Sequence, residues 1–211
     1  MRVLASIRPL DPLELGAGCE RLLETGVDGL HVDLADGVFA PELTVGPEVV
    51  RALAARTAAL LDVHLMVAGP EPYVRAVAEA GATRVAFHLE AAPYPWRLAS
   101  LARSLGLQVG VALNPATAVA ALEPVAAAVD FVNLLTTELD FAGERLLPGA
   151  TERVAAARRL LPPEVWIQVD GGVEADNAAG LVAAGADELV VGRALAGAAD
   201  ARALLAHRQS I

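Results

Sequence analysis

Short apolar runs rich in Val and Leu alternate along the chain with longer Ala/Leu/Arg stretches whose apolar positions recur at helical spacing. The apolar runs predict strands at Val3–Ser6, Gly29–Asp33, Leu60–Leu65, Arg84–Leu89, Gln108–Leu113, Phe131–Leu135, Trp166–Asp170 and Glu188–Val191. The longer stretches predict helices at Pro12–Thr25, Pro47–Arg56, Glu71–Ala80, Tyr94–Leu105, Ala116–Ala128, Ala150–Leu161, Glu174–Ala184 and Ala198–His207. Gly26, Gly81 and Gly185 each stand between a helical run and the next strand, where a left-handed cap favours glycine. No shift of composition marks a linker. Strands alternating with helices throughout 211 residues predict the α/β class and a single (β/α)8 TIM barrel over residues 1–211. A doubly wound parallel sheet is the rival at the level of pattern.

In a barrel of this kind, chemistry belongs at the C-terminal ends of the strands. The second strand ends His31-Val32-Asp33, and alternation sends His31 and Asp33 to the same side, into the barrel mouth. The third strand brings His64 to a neighbouring position, and the seventh delivers Asp170 from the far side, just before Gly171 and Gly172. Two imidazoles and two carboxylates converging on one mouth make a site for one divalent metal with mixed nitrogen and oxygen ligands, suited to Zn, Fe, Mn or Co.

Composition narrows the chemistry further. All 16 basic residues are arginine and none is lysine, so Schiff-base chemistry has no side-chain amine to use. Proton transfer must fall to carboxylates and histidines. A formal net charge of −10 argues against nucleic acid, whose phosphates are bound by clustered cations. No apolar stretch reaches the roughly 18 residues needed to cross a bilayer, and the N-terminus has no long apolar segment followed by a small-residue cleavage site. With a lone Cys19 unable to form an internal disulfide, a soluble cytoplasmic protein that does not engage membranes is expected.

The segments HVDLADGVFAPELTVGP (31–47), LDVHLMV (61–67), FHLEA (87–91), VALNPAT (111–117) and VDGGV (169–173) resemble those of the ribulose-phosphate 3-epimerase family, in order and with similar spacing. The resemblance implies a TIM barrel in which His31, Asp33, His64 and Asp170 bind the metal. It also implies that Asp33 and Asp170 act as acid and base, epimerising a ketose phosphate of the ribulose 5-phosphate/xylulose 5-phosphate type through a cis-enediolate. Met66, His88 and Asn114 match family positions near the pocket, and a homo-oligomer is implied.

Departures from the family concentrate where phosphate is gripped. In Ser6-Ile7-Arg8-Pro9, Pro9 stands where the family has a serine. The glycine-rich loop after the sixth strand becomes Glu138-Leu139-Asp140-Phe141-Ala142-Gly143-Glu144, and a usual Gly-Ser after the eighth becomes Gly192-Arg193. Ala35 and Leu135 replace methionines of the family. In one reading phosphate is still held by Gly143, Gly171, Gly172 and Gly192, with Arg193 as a bidentate clamp. In another, the same chemistry acts on a different or unphosphorylated ketose, with Glu138, Asp140 or Glu144 meeting hydroxyls or a cationic group. A barrel that binds a metabolite without turning it over is a third possibility.

Overall fold

A computed structural model describes residues 1–138 and 145–196. Eight parallel strands, β1 (Arg2–Ser6), β2 (Gly29–Ala35), β3 (Leu60–Met66), β4 (Arg84–His88), β5 (Gln108–Leu113), β6 (Phe131–Leu135), β7 (Trp166–Asp170) and β8 (Glu188–Val191), pair in sequence order. β8 closes on β1, with Arg2 opposite Glu188 and Ala5 opposite Val191. The closed barrel therefore stands, and the doubly wound sheet does not.

The helices α1 (Leu15–Glu24), α2 (Pro47–Ala54), α3 (Pro70–Ala80), α4 (Pro95–Ser104), α5 (Ala150–Leu160) and α6 (Ala178–Ala183) cover the outside. α2, α3 and α4 each begin with proline, whose fixed φ suits the first turn and whose missing N–H would have had no partner there. α3 ends at Gly81 with φ 97°, a left-handed cap open to glycine at little cost. The apolar core lies between strands and helices: Leu30, Val32 and Leu34 of β2, Leu61, Val63 and Leu65 of β3, and Val109 and Val111 of β5 pack outward against residues such as Val50, Val74, Val77 and Ala102. Among the described residues no helix is long and apolar enough to cross a membrane.

Three predicted helices differ. Pro12–Thr25 splits into a 3-10 turn, Pro12–Glu14, and then α1, because the Asp11 carboxylate accepts from Leu13 N at 2.9 Å and tightens the entry. The stretch predicted at Ala116–Ala128 is a 3-10 segment, Val119–Ala128, with Pro124 inside it; proline lacks the N–H an α-helix needs and clashes with the preceding turn. Glu174–Ala184 shortens to α6, since Asn177 accepts from Glu174 N and donates to Gly172 O, holding the entry as a turn. The helix predicted at Ala198–His207 lies outside the described residues.

The barrel interior is polar where such barrels ordinarily pack branched aliphatic side chains. Asp62, Arg84, Gln168, Glu188, His31 and Asn133 are all fully buried there.

Candidate metal centre

Alternation along β2 puts His31 and Asp33 on one face, and the parallel register sets Asp33 beside His64 and His31 beside Asp62 of β3. β7 sends Asp170 across from the opposite wall. His31 Nε2 lies 3.1 Å from Asp33 Oδ1 and 3.3 Å from Asp170 Oδ2. His64 Nδ1 is 3.3 Å from each of the same two oxygens. The four ligand atoms fall within 4.8 Å of one another, and all four residues are buried. Two nitrogens and two carboxylate oxygens so disposed can hold a metal ion, as the sequence predicts.

The electrostatics ask for a cation. Burial disfavours charge on Asp170, yet His31 and His64 outweigh it and hold the carboxyl down at about 2, while Asp33 pushes the other way. Burial likewise opposes charge on Asp33, and the same two imidazoles keep it well below the usual carboxylate range. For His31, burial disfavours protonation, but Asp33, Asp170 and Asp62 carry its pKa well above the ordinary imidazole value. Two buried carboxylates this close stay ionised only with positive charge beside them; the two imidazoles supply it here, and a divalent ion could take that part.

Around these four, Ser6 Oγ donates to Asp33 Oδ2 at 3.1 Å, and Asn133 Nδ2 donates to Asp170 Oδ2 at 3.2 Å. Behind His31, Nδ1–H donates to Asp62 Oδ2 at 2.6 Å. Asp62 is gripped in turn by Arg84 Nε at 2.7 Å and Gln168 Nε2 at 2.7 Å. Arg84 also pairs with Glu188, which Arg2 meets at 3.1 Å from the barrel's lower rim. A ligand histidine whose second nitrogen is fixed by a carboxylate has both its tautomer and its ring orientation set.

A cavity of about 730 Å³ opens over Asp33 and Asp170. Asp33, Met66, Asp170, Gly171, Gly172, Gly192 and Arg193 line it. Gly171 and Gly172 have φ of 106° and 68°, and a Cβ on Gly172 would collide with the backbone of Leu146, so this turn requires glycine. Arg8 and Glu42, both in the lining, form an ion pair of 2.8 Å at the mouth.

Two further positions fall outside this lining. His88 and Asn114 do not line the cavity. His88 sits behind His64, its Nε2 2.9 Å from His64 Nε2, because β4 places it one strand beyond that candidate ligand. Asn114 is turned to the loop after β5, its N–H donating to Glu90 and its carbonyl accepting from Arg153. Gly143, Asp140 and Glu144 lie outside the described residues, while Glu138, at their edge, is exposed.

Sequence reasoning looked for a lost hydroxyl at Pro9 and passed over Ser6, which supplies one to Asp33. The signal was available, since Ser6 ends a barrel strand. Pro9 lies against Gly192, its Cγ 3.1 Å from where a Cβ there would stand. Asp62 and Arg84 were also missed: a charged residue within an apolar strand has no visible partner until the strands are paired.

A family model described as the ribulose-phosphate 3 epimerase family matches residues 2–196. The ribulose-phosphate 3-epimerase of Bacillus subtilis is 35% identical over 204 residues, spanning 95% of this chain and 94% of its own length. The cytoplasmic isoform of Oryza sativa subsp. japonica is 36% identical over 203 residues, spanning 94% and 89%. Among solved structures, a 3-hexulose-6-phosphate synthase superposes with a TM-score of 0.72 at 23% identity, over 98% of this chain and 99% of its own. A tryptophan synthase alpha-subunit mutant from Pyrococcus furiosus gives 0.71 at 13%, over 98% and 97%. At those identities the two structures speak for the barrel fold alone.

Proposed function

Since the chain belongs to the ribulose-phosphate 3-epimerase family, we propose that it inverts C3 of a ketose phosphate, interconverting ribulose 5-phosphate and xylulose 5-phosphate. The observation that carries this reading is the pair Asp33 and Asp170: two carboxyl groups from β2 and β7 that face each other across the same two imidazoles.

A proton on carbon beside a ketone is too weakly acidic for an unaided carboxylate. A divalent ion held by His31, Asp33, His64 and Asp170, of the Zn, Fe, Mn or Co type, would stabilise negative charge developing on the sugar oxygens. The chain's own residues do the rest. One aspartate, ionised at the start of the turnover, takes the C3 proton from its face of the sugar. The other, which enters the turnover protonated, gives its proton to the opposite face, so the carbon is inverted and the two carboxyl groups end with their protonation states exchanged. Ser6 and Asn133 hold the two carboxylates in line by one hydrogen bond each. Burial at the bottom of the cavity excludes water from the carbanion-like centre.

For the phosphate, the N–H groups of Gly171, Gly172 and Gly192 offer close approach, and Arg193 on the cavity wall supplies a planar pair of donors. The arginine makes up for glycines lost from the loop after β6. A different ketose, or a barrel that only binds, gains no support from the family match.

The test is proton NMR in D2O with zinc-loaded protein and, in turn, ribulose 5-phosphate, free ribulose and a ketohexose phosphate. Loss of the C3 proton signal of ribulose 5-phosphate with appearance of xylulose 5-phosphate is expected. Exchange with only the free sugar would transfer the reading to an unphosphorylated substrate, and no exchange with any of them would end it.

A further inference from the structure

The two ligand histidines face the candidate ion with different nitrogens, Nε2 from His31 and Nδ1 from His64. Each ring's other nitrogen is therefore turned into the protein, and the two find different partners. Behind His31 stands the carboxylate of Asp62. Behind His64 stands another histidine, His88, with the two Nε2 atoms 2.9 Å apart.

Two imidazole nitrogens at that separation cannot both carry hydrogen, so one must donate and the other accept. His88 Nδ1 lies 3.3 Å from Glu90 Oε2, and an ionised carboxylate can only accept, which keeps a proton on His88 Nδ1. A neutral ring then presents a bare Nε2 to His64, and His64 must hold its own proton on Nε2. The lone pair of His64 is thereby left on Nδ1, the atom that points between Asp33 and Asp170. The opposite assignment would aim an N–H at the cation.

Glu90 is itself held firmly. Asn114 N donates to its Oε1 at 2.9 Å, and the Thr117 hydroxyl donates to the same oxygen. Arg153 of α5 pins that loop through the carbonyls of Thr117 at 2.6 Å and Asn114 at 2.8 Å. The Phe39 ring, its centroid 4.5 Å from that of His88, closes the remaining side.

We infer that His88 and Glu90 are positioning residues: a Glu90–His88–His64 relay fixes the tautomer of His64 and makes it a ligand through Nδ1. The inference rests on the metal reading of the site. It assigns the HLE sequence at the end of β4 a task in building the metal centre rather than in touching substrate.

The experiment uses the full chain loaded with Zn(II) and labelled with 15N-histidine; with 4 histidines in the sequence the imidazole spectrum is assignable by single substitutions. His64 is expected with its proton on Nε2 and zinc on Nδ1, and His31 with the reverse. Zinc affinity by chelator competition then separates positioning from packing. His88→Phe, which keeps a ring but loses the acceptor, should weaken zinc roughly 10- to 100-fold. His88→Gln, whose amide oxygen can accept from His64, should recover most of that loss. Zinc on Nε2 of His64 would overturn the relay, and so would His88→Phe binding within about twofold of the unaltered chain. If the unaltered chain binds no zinc, the metal reading falls and the relay with it; zinc bound through the other nitrogen removes the relay alone.

Discussion

Arg193 carries the sharpest residue-scale consequence of the altered phosphate end. It stands where the family has a small hydroxyl residue, and it lines the same cavity as Gly171, Gly172 and Gly192. A hydrogen bond to a charged partner is worth about 1.5–3 kcal/mol, so Arg193→Ala should raise KM for a phosphorylated ketose roughly 10- to 100-fold while leaving kcat nearly unchanged. Steady-state kinetics read this directly, and an unaltered KM would remove Arg193 from the phosphate site. The four candidate ligand residues were legible in the sequence because each lies within an apolar strand that has no packing use for an imidazole or carboxylate. Ser6 was equally placed but overlooked in favour of Pro9. Asp62, Arg84 and Glu188 gave no signal of their kind, since their partnership exists only after β3, β4 and β8 have been brought round one barrel.

At the scale of elements, all eight strands are found where the apolar runs placed them, to within two residues at either end. A strand buried on both sides, by helices without and packed side chains within, reads as a nearly continuous apolar run. The helices were less faithful where a single residue changed the backbone, Pro124 in one case and Asn177 in another. The connection from β4 to β5 supplies a pH-dependent consequence. Burial raises the Glu90 pKa, but hydrogen bonds from His88, Thr117 and the Asn114 backbone prevail and bring it down to about 2. A carboxyl whose folded pKa lies below its unfolded value binds more protons when unfolded, so it adds stability at higher pH. That contribution is complete above the ordinary glutamate value and is lost as pH falls from there towards about 2. Urea midpoints of the metal-free chain at pH 6 and pH 3.5 should therefore converge in Glu90→Gln relative to the unaltered chain. Equal pH dependence in the two would contradict the bonded state of Glu90.

For the molecule as a whole, the barrel interior divides into two charged layers. The lower one is self-compensating: Arg84 and Arg2 face Asp62 and Glu188. The upper one sets Asp33 and Asp170 against His31 and His64, a group able to hold an ion. A buried ion pair is weak evidence of stability in itself, but removing one partner strands the other. Arg84→Met should destabilise the fold by about 3–5 kcal/mol, measured by guanidinium unfolding; a loss below ~1 kcal/mol would mean the lower layer relaxes without its cation. The upper layer bears on the central claim, that Asp33 and Asp170 serve opposite faces of one carbon. The direct measurement follows interconversion of ribulose 5-phosphate and xylulose 5-phosphate, together with deuterium uptake at C3, in zinc-loaded Asp33→Asn and Asp170→Asn. Both variants should lose interconversion by roughly 100-fold or more, with zinc confirmed in each sample. Either variant interconverting the two sugars at the rate of the unaltered chain would contradict the two-aspartate account.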